Sequence, residues 1–268
     1  MPELPEVETV RRQLLPLVEG RTIRSVTARA PMLFQNCEPE VFTAALTGRR
    51  IEDLHRWGKY LVFVMVDCYP VFHLGMSGIF LTRRERSRFP QHIHVEIDLD
   101  DGSTLFFQDF RKFGKIWLYD EYPEFPQLGI DPVNCPPDMA IFTRLVRQRN
   151  QNLKLFLMDQ GNLAGVGNIY ASEMLHHAGI SPYRRTGDLS DAEIAALHAA
   201  MNAVLQSAIA NFGTTYSAYQ TVTGESGTNQ EFLQVYQLAG TPCRRCGAII
   251  EKAMIGNRST FFCRGCQH

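Results

Sequence analysis

The chain has 268 residues, 45% hydrophobic and 21% charged, with 27 Lys and Arg against 28 Asp and Glu. This is the balance of a folded soluble protein, long enough for one large domain or two ordinary ones. A net charge of −1 excludes a globally basic nucleic-acid coat but leaves room for a local basic face. The opening MPELPEVETV carries neither a basic nor an apolar leader segment, and the longest apolar run, Tyr60 to Val66, is strand-sized. Neither export nor a membrane span is expected, and a cytoplasmic location is.

In chain order, Val7, Val10, Leu14 and Val18 fall near helical spacing, with Glu6 and Glu8 early and Arg11 and Arg12 later, which suits a helix dipole. Strands are predicted at Thr22–Ala28, Arg50–His55, Tyr60–Asp67 and Lys115–Tyr119. His92–Leu99 alternates polar with apolar, Asp100-Asp101-Gly102 turns, and Ser103–Gln108 returns, the pattern of a hairpin with one buried face. Asp120–Pro137 holds Pro123, Pro126, Pro132, Pro136 and Pro137 and reads as a linker. Helical patterns follow at Ile141, Leu145 and Val146, and at Leu153, Leu157 and Met158. Another runs from Ser190 through Leu197, Met201 and Leu205, opened by a capping box of Ser190 and Glu193. Residues 211–230, rich in Gly, Thr and Ser, are expected to form a mobile loop.

The chain ends in a cysteine module. Cys243-x2-Cys246, sixteen residues, then Cys263-x2-Cys266 matches the spacing of a four-thiolate zinc site. Four sulfurs close the tetrahedron, so such a zinc is structural. Two disulfides or a redox pair are the other reading, which the lack of an export signal disfavours. Residues 241–268 carry five basic side chains (Arg244, Arg245, Lys252, Arg258, Arg264) against Glu251 alone. They make either a phosphate-binding tip or a solvated charged surface.

Removal of Met1 leaves a secondary amine on Pro2. An α-amino group has a pKa near 8, against about 10.4 for lysine, so part of it is neutral near pH 7. A neutral amine attacking a sugar C1′ forms a Schiff base, and Glu3 beside it is placed to move a proton. From composition alone the simpler reading, that Pro2, Glu3 and Glu6 only start and cap a helix, wins.

Five blocks in order change that weighing. They are Met1-Pro-Glu-Leu-Pro-Glu-Val-Glu, His73-Leu-Gly-Met-Ser-Gly, Asp109-Phe-Arg-Lys-Phe-Gly, Asp159-Gln with Leu163-Ala-Gly-Val-Gly-Asn-Ile-Tyr-Ala-Ser-Glu, and Arg258-Ser-Thr with the cysteine finger. Together the chain resembles the bacterial formamidopyrimidine-DNA glycosylases over nearly its whole length. The resemblance implies an α+β protein in three parts. These are a β-sandwich with the leading helix (1–125), a helix–two-turn–helix domain with a lesion-recognition loop (126–237), and a β-hairpin zinc finger (238–268).

The implied activity excises oxidised purines from double-stranded DNA and nicks the abasic site by β,δ-elimination, in a monomer on the bacterial nucleoid with one structural zinc. By resemblance Pro2 is the nucleophile, Glu3 the acid, Glu6 a structural support, Lys59 a proton donor, and Arg258 the phosphate grip. Met76, Arg111 and Phe113 would fill the gap left by a flipped nucleotide; the glycines beside them favour loop tips over core packing. Backbone contacts are implied for His73, His92, Lys154 and Asn168. Asn150 stands where some relatives have a basic contact residue. His92, on an alternating strand, is equally readable as solvent-facing.

One departure is Phe212-Gly213 where relatives carry Gly-Gly, at the base of the loop expected to close over the lesion. Leu4 favours the formamidopyrimidine branch over the endonuclease VIII branch. Two other readings stay open at this point: a non-catalytic lesion-binding zinc protein of the same fold, and an oxidised-pyrimidine glycosylase of the endonuclease VIII type.

Overall fold

Helix α1 (Leu4–Val18) forms where the apolar spacing placed it, with Val7, Val10, Leu14 and Val18 fully buried. The computed structural model describes residues 1–216 and 218–268. They form two units, Met1–Phe125 with Asn211–Gln230, and Pro126–Ala210 with Glu231–His268. Among the described residues no helix is long and apolar enough to cross a membrane.

After α1, the first unit continues in chain order with β1 (Ile23–Ala28), α2 (Pro39–Leu46), β2 (Asp53–Trp57), β3 (Tyr60–Val64), β4 (Tyr69–His73), β5 (Gly78–Leu81), β6 (Ile93–Leu99), β7 (Thr104–Asp109) and β8 (Lys115–Tyr119). The strands make two four-stranded antiparallel sheets, ordered β1-β6-β7-β5 and β2-β3-β4-β8. Apolar side chains of both sheets share one core with α1. At its centre Phe72 lies 5.0 Å from Phe80 and 5.3 Å from Phe107, edge-on in both cases. Helix α1 is also fixed by charge. Glu8 is buried and accepts from Arg56 at 2.8 Å and Arg12 at 2.7 Å, with Arg11 beside them. Burial pushes its carboxyl up, but the guanidiniums outweigh that and hold it at about 2.

Two expectations change here. His94, on the face of β6 that alternation assigned to solvent, is buried, with its Nε2 3.0 Å from the Asp109 carbonyl. Residues 211–230, expected as a mobile loop of the helical region, pack within the first unit. Tyr219 and Val222 enter the core, and Val222 N donates to Gln13 Oε1 at 3.1 Å.

The second unit holds α3 (Met139–Arg147), α4 (Leu153–Met158), α5 (Asn168–Ala178) and α6 (Asp191–Ala210). The Ser190–Glu193 capping box is present, with Ser190 N donating to Glu193 Oε2 at 2.8 Å. The hairpin of β9 (Glu251–Ile255) and β10 (Arg258–Phe262) turns at Gly256 and Asn257. Both have positive φ, +55° and +59°, as a two-residue hairpin turn with the right twist requires. Glu173 of α5 is buried and accepts from the amides of Gln234, Val235 and Tyr236, which ties the approach to the hairpin onto the helix. The structure is thus α+β, with a leading helix, two antiparallel sheets, a helical unit and a terminal hairpin.

Candidate functional site

The chain start is built into the first unit. Pro2 is buried and Glu3, just before α1, is 3% exposed. Glu6, one turn into the helix, is 1% exposed and reaches two backbone amides. Its Oε2 accepts from Glu3 N at 2.7 Å and its Oε1 from Thr214 N at 2.7 Å. One carboxylate therefore joins the residue after Pro2 to the base of the 211–230 segment, Thr214 lying 208 positions beyond Glu6. Gly213 makes room for it: a Cβ there would stand 2.9 Å from Glu6 Cγ and Oε1, and its φ is +74°. Phe212 beside it holds φ +57°, a conformation that costs a non-glycine residue about 1 kcal/mol or more. Tyr219 anchors it by donating to the Phe212 carbonyl at 3.0 Å.

Lys59 occupies the turn between β2 and β3 and is 8% exposed. On the next strand His73 lies opposite Tyr60, ring centroids 4.9 Å apart. Burial, with the charges of Lys59 and Lys115, pushes the His73 imidazole down to about 4. Gly75 N donates to its Nδ1 at 3.1 Å. The neutral ring therefore carries its proton on Nε2, as a hydrogen-bond donor.

Met76 and Phe113 are exposed, 39% and 50%, on adjoining turns. The Arg111 guanidinium sits 4.7 Å over the Phe113 ring. Both turns are held by Asp109, which is fully buried. Its Oδ2 accepts from Gly114 N at 2.6 Å, and its Oδ1 from Arg111 N at 3.3 Å and from the Ser77 hydroxyl. Gly75 meets the Phe113 backbone so closely that a Cβ there would lie 2.4 Å from Phe113 C and O. His92 is half-buried in the turn before β6, its ring 6.2 Å from Phe89. Beside it a cavity of about 160 Å³ is lined by Arg88, Phe89, Gln108, Phe110, Ala218 and Gln220.

In the second unit, Lys154, Asn168 and Arg258 come together. Lys154 is fully buried, its ammonium donating to Thr260 Oγ1 at 2.6 Å and to the Ser259 carbonyl at 3.2 Å. Asn168 Nδ2 donates to the same carbonyl at 2.9 Å, and its Oδ1 is buried with no partner. Arg258, exposed, is the neighbouring residue at the start of β10. Asn150 is exposed and engaged by Arg185, which donates to its Oδ1 at 2.9 Å.

The Sγ atoms of Cys243, Cys246, Cys263 and Cys266 all lie within 4.8 Å of one another. Cys243 and Cys266 are 3.7 Å apart, Cys246 and Cys263 3.5 Å. A zinc tetrahedron with bonds of about 2.3 Å has edges of about 3.8 Å, whereas a disulfide needs about 2.05 Å. The four thiols fit one structural zinc and not two disulfides.

Sequence reading did not find Asp109, the hub of the two exposed turns, or the link from Glu6 to Thr214. Asp109 stands inside a quoted block, but only the packed turn shows what it accepts. The Glu6 contact spans the chain and has no local signal at all.

The chain is similar to known proteins over its whole length. The formamidopyrimidine-DNA glycosylase N-terminal domain family matches residues 1–116, the corresponding helix–two-turn–helix family 128–220, and a zinc finger found in these glycosylases and isoleucyl-tRNA synthetases 240–268. A formamidopyrimidine-DNA glycosylase of Geobacillus kaustophilus is 38% identical over the whole of both chains. A Lactococcus lactis glycosylase mutant bound to Fapy-dG DNA is 34% identical, with a TM-score of 0.87 over all of both chains. A MutM structure in complex with DNA containing carbocyclic 8-oxo-G is 34% identical, with a TM-score of 0.89 and the same coverage.

Proposed function

Because the chain belongs to the formamidopyrimidine-DNA glycosylase family, we propose that it excises oxidised purines, 8-oxoguanine and formamidopyrimidines, from duplex DNA and then nicks the strand. The buried start of the chain carries this reading: Pro2 next to Glu3, whose amide is held by Glu6. Once Met1 is removed, the Pro2 nitrogen is a secondary amine without a long flexible stem, so little freedom is lost on attack.

The amine attacks C1′ of a flipped nucleotide. The C1′–N bond to the enzyme forms as the glycosidic bond breaks, and the base leaves with a proton. Lys59, close to His73, supplies or relays protons at this stage. Glu3 protonates the ring oxygen, which opens the sugar to the iminium. Loss of a C2′ proton expels the 3′-side phosphate, and a second elimination expels the 5′-side phosphate. Water then releases the sugar remnant and restores the amine. His73, neutral with Nε2–H outward, donates to a backbone phosphate.

Met76 and Phe113 wedge into the stack, and Arg111 donates to the orphaned base. The 211–230 segment covers the flipped purine. Arg258 grips phosphate and favours the second elimination. The Asn168 amide nitrogen and the buried Lys154 ammonium fix Ser259 and Thr260 beside it, so Lys154 acts on DNA through this strand. His92 contacts the backbone at the edge of the sandwich. Asn150, held by Arg185, contributes least. Cys243, Cys246, Cys263 and Cys266 would hold a zinc that steadies the hairpin presenting Arg258, and the protein acts as a monomer.

Borohydride reduction tests this. Duplex containing 8-oxoguanine becomes covalently joined to the protein, and unreduced reactions leave phosphate on both ends of the gap. No crosslink from a protein with verified free Pro2 overturns it.

A further inference from the structure

We propose that residues 82–90 form an additional DNA grip, in which Arg83, Arg86 and Arg88 bind duplex phosphates beside the lesion. The proposal rests on the glycosylase reading, which supplies the DNA. The segment leaves β5 and returns to β6 with four arginines against Glu85, in a chain whose net charge is −1. Arg84 is paired with Glu96 at 2.8 Å. Among the described residues the side chains of Arg83, Arg86 and Arg88 have no hydrogen-bond or ion-pair partner, and all three are exposed.

That is unusual within this unit. Arg12, Arg21 and Arg29 each hold a carboxylate, and Arg24 and Arg49 hold carbonyl oxygens. Among the described residues of this unit, the other guanidiniums without a hydrogen-bond or ion-pair partner are those of Arg50 and of Arg111, which lies over the Phe113 ring. Three like charges within six residues repel one another inside a Debye length, about 8 Å at physiological salt. A surface that leaves them uncompensated is matched to a polyanion.

The arm is also held in place. Thr82 N and Oγ1 both donate to the Val222 carbonyl, at 3.0 and 3.2 Å. Ser87 Oγ donates to Gln108, and the Phe89 ring lies 5.0 Å from Phe110, the residue before Arg111. Gly224 sits against Arg86: a Cβ there would be 2.7 Å from Arg86 Cβ. The guanidiniums are thus presented by a braced turn tied both to the segment expected to cover the lesion and to β7, the strand that leads into the Arg111 turn. Bracing lowers the ordering cost of binding.

Equilibrium binding to an undamaged 25-base-pair duplex between 50 and 200 mM salt tests the arm, with Arg83→Gln/Arg86→Gln/Arg88→Gln against wild type. Gln keeps the Cβ contact of residue 86. Each lost phosphate contact flattens the slope of log K against log salt by roughly 0.9, so the triple variant is flatter by about 2 to 3. Over that range the wild type then loses roughly 40-fold more affinity than the variant. The thermal midpoint and the borohydride crosslinking rate at saturating lesion duplex stay at wild-type values. Arg50→Gln, which removes an unpaired charge outside the arm, leaves the slope as it was. A triple variant with the wild-type slope, or an Arg50→Gln effect equal to that of one arm residue, overturns the proposal. A wild type that crosslinks lesion duplex yet shows no arm effect sinks the arm alone; one that binds no DNA at all sinks both readings.

Discussion

Gly75→Ala is a single methyl group aimed at the wedge. The added Cβ would stand 2.4 Å from the Phe113 carbonyl carbon and oxygen and 2.6 Å from Gly114 N. Ordinary contact begins near 3.4 Å, so the Phe113 backbone must retreat by about 1 Å. It cannot do so freely, because Gly114 N is held by Asp109 at 2.6 Å. The φ of +59° at residue 75 adds about 1–2 kcal/mol for an L side chain. The thermal midpoint should fall by roughly 3–8 °C for a unit of this size. A 1 Å displacement of a positioning group costs up to about 100-fold in rate. Excision of 8-oxoguanine from duplex should therefore drop by about 30- to 100-fold. Cleavage of a preformed abasic site, where no base must be extruded, should drop by less than about 10-fold. Single-turnover assays on the two substrates separate these outcomes. A folded variant that excises at the wild-type rate refutes the claim that this contact sets the wedge.

Three further outcomes are expected. Cys246→Ser opens the thiolate set, so zinc measured by a chelating dye is lost and duplex affinity falls by at least about 10-fold; a zinc-free variant with full affinity contradicts the role of the hairpin. Glu6→Gln turns one acceptor oxygen into a donor facing either Glu3 N or Thr214 N and leaves that amide buried without an acceptor, a cost of about 1–3 kcal/mol. Base excision should fall more than cleavage of a preformed abasic site, and equal losses in the two assays count against a link between the loop and the chain start. The His73 imidazole titrates at about 4 in the folded state rather than near 6.5. The unfolded chain thus binds the extra proton between those values, and this contribution to stability is complete above about 6.5 and lost as pH falls toward 4. His73→Asn, whose amide oxygen still accepts from Gly75 N, should flatten the fall in urea midpoint over that window; unchanged slopes in variant and wild type would show that His73 is not its source.

Legibility in the sequence followed the distance over which each feature is encoded. The zinc ligands were readable because each pair is a tight local knuckle. Helix α1 and the β6–β7 hairpin were readable from periodicity. Strand β5 was missed because Gly78–Leu81 is buried on both faces and shows no alternation. Strand β4 was missed with it, since Pro70 interrupts its run. Helix α2 spans only Pro39–Leu46, too short for its spacing to stand out.

In the site, residue identities were readable but their partners were not. Lys154 reads as a surface phosphate ligand until Thr260 and Ser259 are seen to enclose it. Glu6 reads as a helix cap until Thr214 arrives from the far end of the chain. The Gly- and Thr-rich 211–230 segment reads as mobile because two of its own apolar anchors, Tyr219 and Val222, are lost among polar neighbours.

The central claim is that the nitrogen of residue 2 reaches the sugar carbon. Mass spectrometry of the borohydride-reduced complex with 8-oxoguanine duplex tests it most directly. The account predicts a crosslinked peptide that starts at Pro2, lacks Met1, and carries the sugar remnant on its terminal nitrogen. A remnant on Lys59 or any other side chain, or a crosslinked peptide that still begins with Met1, contradicts it.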